Sequence, residues 1–268
     1  VRKRRNHGGT DLLFKNRQFG FWKESGVWKK EGKPVANQKK EHLQLKQIAV
    51  IHTDFSEKFG IPRQSGLAAA RGRIVFESEY RNPDALKGIE AYSHLWLIWG
   101  FSLVPEKEWQ PTVRPPRLGG NRRMGVFATR SPFRPNPIGL SLVELIASEQ
   151  RKDVGTTLLV EGVDMLDKTP IYDIKPYLPH LEGKPEAAGG FAEQVKDRNL
   201  AVVIPKEWEE QIPPNQSEVI QELLKQDPRP AYQDDPERIY GMRYGELEIK
   251  FQVRGKKLTV CGVYRKVD

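Results

Sequence analysis

From Gln47 to Ile174 the chain is written as short apolar runs separated by Gly and Pro clusters, with no long amphipathic helix between them. Ile48, Val50 and Ile51 open the series, Arg73–Glu77 and Ser93–Trp99 follow, and Met124–Thr129, Leu140–Leu145, Thr157–Val163 and Pro170–Ile174 continue it. Runs of this length read as strands, and many short strands without crossover helices between them point to a closed or sandwich-like β architecture. A helical turn is expected over Pro83–Gly88, with Asn82 as its cap, Pro83 at the first helical position and Gly88 as terminator.

The texture changes at Lys184–Gly190, a small-residue, turn-prone stretch that reads as an interdomain connection. Past it, Leu200–Ile204 is a strand, and Ser217 caps a helix whose apolar face is Val219, Ile220, Leu223 and Leu224. Leu247, Ile249, Phe251 and Val253 alternate, turn over Arg254–Gly255, and return through Leu258, Val260 and Gly262 as a hairpin. The fold class expected is mainly β: an N-terminal β-barrel domain over 45–184, then a small α+β domain over 185–268, preceded by a basic arm over 1–44.

Charge separates that arm from the rest. Residues 1–40 hold 12 Lys/Arg against Asp11, Glu24 and Glu31, so the net charge of +9 belongs to those residues and 41–268 is neutral. The arm has no hydrophobic period; it reads either as a basic, aromatic-bearing grip on nucleic acid or as a leader outside the fold. No apolar run approaches the roughly 18 residues of a membrane span. A lone Cys261 excludes an internal disulfide, and with no secretion signal at its start the chain is expected in a reducing cytoplasm. His7, His42, His52 and His180 show no metal-ligand spacing, and His94, Trp96, Trp99 and Cys261 lie in strand-like runs as core or interface residues. Neither a G-x-G-x-x-G loop nor a Walker A loop is present.

The window Trp109–Val143 carries Arg114, Arg117, Arg122, Arg123, Arg130 and Arg134 without one Lys, Asp or Glu among 35 residues. Guanidinium groups offer two parallel donors to phosphate or carboxylate, and the prolines of Arg114–Asn121 and Thr129–Gly139 stiffen the loops that hold them. A stiff, acid-free, arginine-bearing loop is an anion receptor. In Asp164–Tyr177, Asp173 and Lys175 fall on one face of a strand, where they can pair. The stretch Asp227–Tyr232 presents Arg229 and Tyr232 on a rigid turn, either for phosphate contact and base stacking or simply as a helix stop.

Gly60–Leu67, Ser93–Trp96, Arg114–Arg117, the Thr129–Gly139 loop and Asp173–Tyr177 together resemble the TsaA-like, or TrmO, family, from about Leu45 to the C-terminus. The resemblance implies an S-adenosylmethionine-dependent tRNA methyltransferase built on a β-barrel and working as a homodimer. Its implied substrate is N6-threonylcarbamoyladenosine beside the anticodon of threonine tRNA, methylated on the exocyclic nitrogen. Carried over by motif, the cofactor contacts Gln64, Ser65, Gly66, Leu67, Ser102, Arg130, Leu140, Asp167, Lys168, Thr169 and Pro170, while Arg229 and Tyr232 help hold tRNA. Lys168 stands where the family commonly has glycine, which puts the shape of that turn in question.

Methyl transfer from a sulfonium needs in-line alignment above all, so rigid loops can supply most of the acceleration. Arg114, Arg117, Arg122, Arg123 and Arg134 would line a basic cleft for tRNA phosphates, and Asn136 or Asp173 could hold the amine hydrogens and take the proton. The rival reading is a non-catalytic RNA-binding module whose arginine loops only grip phosphates.

Overall fold

The computed structural model describes residues 15–16, 21–24, 27–30, 43–104, 109–115, 122–195, 199–229, 233 and 235–265. The chain divides into two units, Val1–Gln44 and Leu45–Asp268. In the first, β1 (Lys15–Asn16), β2 (Phe21–Glu24) and β3 (Val27–Lys30) form a three-stranded antiparallel sheet. The sequence offered no period here, but the aromatic and β-branched residues among the lysines favour extended backbone.

The second unit begins with β4 (Ala49–Thr53), β5 (Arg71–Phe76) and β6 (His94–Gly100). A two-strand excursion follows, β7 (Thr112–Val113) with β8 (Met124–Gly125), and then β9 (Ile138–Arg151), β10 (Gly155–Glu161) and β11 (Thr169–Pro176). The six long strands close in the order β10-β5-β4-β11-β6-β9, every neighbouring pair antiparallel. Closure pairs the edges that an open sheet would leave exposed. Ile51, Ile74, Leu95, Leu97, Leu158, Val160 and Ile171 point inward and are wholly buried. Each contributes about 1.5–3 kcal/mol through the apolar surface it removes from water.

The C-terminal segment builds α1 (Pro179–Glu182), β12 (Ala201–Val203), α2 (Lys206–Glu209), α3 (Pro214–Lys225), β13 (Tyr240–Tyr244), β14 (Leu247–Arg254) and β15 (Lys257–Arg265). The strands lie in the order β12-β15-β14-β13, with β12 parallel to β15. The expected apolar face of α3 is the one it buries, Val219, Ile220, Leu223 and Leu224. One hydrophobic cluster joins these residues to the barrel interior.

The Asn82 cap is as expected: its side chain accepts from the Asp84 amide at 3.1 Å, and Gly88 takes φ +87°. Four local expectations are corrected. Ser217 does not cap α3; the helix starts at Pro214, whose missing N–H costs nothing in a first turn. Met124–Thr129 is a strand only over Met124–Gly125, because the Thr129 hydroxyl donates to the Val126 carbonyl at 2.8 Å and closes a 3-10 turn instead. Arg254 stays in β14 opposite Lys257, so the hairpin turn is Gly255–Lys256, with Gly255 at φ +60°. Cys261 is half-buried rather than core, since Phe251 pairs with Val260 and Lys250 with Gly262, leaving Cys261 as the bulged residue.

Gly139 marks the tightest packing in the barrel wall: a Cβ there would sit 2.1 Å from Trp99 Cε2. Gly139→Ala is therefore expected to destabilise the protein by at least about 1–3 kcal/mol in denaturant titration, as overpacking does. An unchanged midpoint and slope would show that the indole can move aside.

Candidate active site at one mouth of the barrel

Because neighbours in the barrel are antiparallel, β4, β6 and β10 all run the same way and end at the same mouth. Three connections therefore meet there: residues 54–70 after β4, residues 101–137 after β6 and residues 162–168 after β10. Backbone bonds join the first to the third. The Gly66 amide donates to the Gly162 carbonyl at 2.9 Å and the Gly162 amide to Ala70 at 2.9 Å. Gly162 has φ +85°, and a Cβ on it would meet the Gly66 amide at 3.2 Å, so glycine lets the two backbones touch. The Asp167 amide donates to Phe55 O at 2.9 Å, and Asp167 Oδ1 accepts from the Thr53 amide at 3.2 Å.

Side chains join the second connection to the other two. Arg130 Nη1 donates to Gln64 Oε1, linking the arginine window to the Gln64–Leu67 loop. Ser65 Oγ accepts from the Leu142 amide at 3.1 Å, which pins that loop to β9. Beneath them lies a polar chain inside the barrel: Trp99 Nε1 donates to Ser141 Oγ at 2.9 Å, and Ser141 Oγ donates to Asp164 Oδ1 at 2.5 Å. Burial pushes the Asp164 carboxyl up from 3.8 to about 6, against the opposing pull of the Ser141 hydroxyl, backbone N–H groups and the Arg130 charge. Asp54 is also raised, chiefly by burial and further by Asp167, while its bond to the Tyr244 hydroxyl opposes the rise.

The C-terminal segment braces the first connection from outside. Glu222 Oε2 accepts from the Ala69 amide at 2.8 Å, Gln226 Nε2 donates to Leu67 O at 2.9 Å, and Arg63 Nη2 donates to Asp227 O at 3.2 Å. Gly60 packs on Met242, where a Cβ would come within 2.5 Å.

Of the residues singled out in the sequence, Gln64, Ser65, Gly66, Leu67, Arg130, Asp167, Lys168, Thr169 and Pro170 gather at this mouth. Ser102 is exposed just after β6, and Leu140 points outward near the start of β9, 48% exposed. Lys168 holds the left-handed conformation that its glycine-like position requires, φ +62°, a strain of about 1–2 kcal/mol for a residue with a Cβ. Asn136 is exposed immediately before β9. Asp173 lies further down the outer wall, where Lys175 Nζ stands 2.9 Å away, the surface pair expected from the alternation.

Arg114, Arg122 and Arg123 are exposed on the second connection, Arg123 donating to Thr112 Oγ1 at 2.9 Å. Arg134 is half-buried and donates to Thr129 O at 3.3 Å. Arg229 is buried and forked onto Asp227 at 2.8 and 3.0 Å, so it shapes its own turn. Arg117 and Tyr232 lie outside the described residues. The sequence reading missed Trp99, Ser141 and Asp164 as a unit. The signal was available: Gly139, Ser141 and Val143 share the inward face of β9, where a buried hydroxyl must find a partner. Among the described residues no group of His, Cys, Asp and Glu is arranged to hold a metal ion.

A mainly β barrel whose mouth gathers rigid loops and an arginine window lies outside the doubly wound class and has the stiffness an anion-binding site needs. Two family profiles cover it in order, the tRNA-methyltransferase O N-terminal domain over residues 50–182 and the TrmO C-terminal domain over residues 197–266. The chain belongs to the tRNA-methyltransferase O family. It is 44% identical over 220 residues to the tRNA (adenine(37)-N6)-methyltransferase of Escherichia coli K12, covering 79% of this chain and 93% of that protein. A Pseudomonas aeruginosa relative described as a putative S-adenosylmethionine-dependent methyltransferase is 42% identical over 215 residues, 75% of this chain and 89% of its own. A crystal structure of TrmO from P. aeruginosa superposes with a TM-score of 0.71 at 32% identity, covering 86% of this chain and all of that one.

Asp164 yields a prediction with a definite sign. Its folded-state pKa lies above the ordinary value of 3.8, so the folded protein holds the proton more tightly than the unfolded chain. Its contribution is fully present below pH 3.8 and is lost as pH rises to about 6. Asp164→Asn should therefore raise stability at pH 8 by about 1–3 kcal/mol and change it little at pH 4. Equal effects at the two pH values in parallel denaturant titrations would remove the buried charge from the account.

Proposed function

We propose that this chain, a tRNA (adenine-N6)-methyltransferase, acts on N6-threonylcarbamoyladenosine beside the anticodon of threonine tRNA, with S-adenosylmethionine as methyl donor and a homodimer as the working form. The observation that carries the reading is the Arg130–Gln64 contact, which joins an acid-free arginine loop to a glycine-hinged loop at one barrel mouth. The homologues' names support the reaction class, tRNA as substrate and the donor; the threonylcarbamoyl base and threonine tRNA rest on the family resemblance.

The residues at the mouth fit the donor. Exposed Arg130 has the geometry for a carboxylate, Asp164 and Asp167 offer negative charge to a cation, and the exposed side chains of Leu67 and Leu140 suit an apolar ring face. When bound, S-adenosylmethionine supplies an activated methyl group whose transfer needs no acid to help the thioether leave. The chain's part is then positioning. The Gln64–Leu67 loop is fixed by Leu142, Gly162 and Gln226, and the Asp167–Pro170 turn by Phe55 and Ile51. Rigid placement of two reactants is worth several kcal/mol by itself.

Exposed Arg114, Arg122 and Arg123 take tRNA phosphates, and a guanidinium of the same window takes the carboxylate of the threonylcarbamoyl group. Asn136, exposed in the arginine loop, is better placed than the Lys175-paired Asp173 to orient the amine, its amide oxygen accepting a hydrogen bond from the N–H while the proton released on methylation passes to solvent. Half-exposed Ile138 on the outer wall offers apolar surface to a second subunit.

Purified protein given S-adenosylmethionine and threonine tRNA carrying the threonylcarbamoyl group should add one methyl to that nucleoside, read by mass spectrometry. Arg130→Ala should abolish donor binding in calorimetry while the thermal midpoint holds. No methylated nucleoside would leave the rival, a non-catalytic RNA-binding module; donor binding unchanged in Arg130→Ala would take that residue out of the site.

A further inference from the structure

We infer that the arginine-bearing connection carries a second nucleobase site, a stacking platform of Trp109 and Phe127 for an unpaired base of the RNA loop that presents the methylated adenosine. The inference rests on the tRNA reading above and goes beyond it, since it assigns a contact to a base that undergoes no chemistry.

The two rings stack on each other, centroids 6.1 Å apart and planes 27° from parallel. Yet they are left in water: Trp109 is 48% exposed and Phe127 is 71% exposed. Large apolar rings leave water when a chain folds wherever packing allows, so folding alone does not account for their position.

Their frame is stiff. Val126, next to Phe127, is buried, and its amide donates to Pro111 O at 3.0 Å. The Thr129 hydroxyl holds the same turn from the other side, and β7 pairs with β8 through Thr112↔Gly125 and Val113↔Met124. Phe127 is thus presented on a built turn, with little ordering left to do when a ligand arrives.

Charge decides what that ligand is. Exposed Arg114, Arg122 and Arg123 share this excursion, and no acidic residue lies between Trp109 and Val143. A ring face beside guanidinium groups matches a base and its flanking phosphates, the footprint of single-stranded nucleic acid. A second copy of the same loop would instead bring like charges together.

The full-length chain tests this with anticodon stem–loop RNA of threonine tRNA carrying 2-aminopurine at each unpaired position other than the target adenosine. Binding should quench the probe at one position. Trp109→Leu and Phe127→Leu, which keep apolar bulk but remove the ring face, should each abolish that quench and weaken affinity about 5- to 150-fold, equivalent to about 1–3 kcal/mol at about 1.4 kcal/mol per factor of ten. Phe127→Tyr should restore both. The slope of log affinity against log salt should stay unchanged, because no phosphate contact is lost. Quenching at no position, or leucine variants that bind as tightly as the parent, would overturn the platform while leaving methyl transfer to tRNA standing. Leucine variants that sediment at a lower mass than the parent would make the patch a subunit interface and overturn it too. A parent protein that neither binds the stem–loop nor methylates tRNA would remove the reading on which the platform rests.

Discussion

Closure of six antiparallel strands is the constraint on which the rest depends. It sends β4, β6 and β10 to one mouth, and so brings together three connections that lie far apart in sequence. No single connection could form a site alone. The loop after β4 is held by Gly162, by Leu142 of the wall and by α3, while Arg130 reaches it from the loop after β6. The mouth is therefore set before any ligand arrives, as a reaction governed by alignment requires.

The same mouth spends stability. Asp164 keeps a carboxylate largely out of water, with Ser141 and backbone N–H groups to hold it, where a neutral residue would cost less. Lys168 sits in a left-handed turn that glycine would enter freely. Both lie in the seven residues between β10 and β11, the connection that faces the other two. Local costs concentrated at one place in an otherwise well-packed barrel are what the proposed site at this mouth would leave behind.

The strands were legible because their apolar runs had the right length and were bounded by Gly and Pro; β4, β5, β6, β9, β10 and β11 fall where the pattern put them. The arginine window was legible because composition alone sets it apart. What escaped was settled over longer range or by local hydrogen bonds that periodicity does not register. Thr129 turned the Met124–Thr129 run into a 3-10 turn, and a bulge opposite Lys250 and Phe251 moved Cys261 out of the core. Arg229 stood in the sequence as either a phosphate contact or part of a helix stop, and its fork onto Asp227, two residues earlier, is a local pairing that periodicity does not register. Asp164 was visible as an acid in a β segment, but its partners Ser141 and Ser65 come from 23 and 99 residues away.

The most direct test of a shared mouth is a crystal structure of the protein grown with S-adenosylmethionine. The donor should lie between the Gln64–Leu67 loop and the Asp167–Pro170 turn, with its carboxylate on Arg130. Density for the donor elsewhere on the barrel, or between the strands of the C-terminal sheet, would contradict the account.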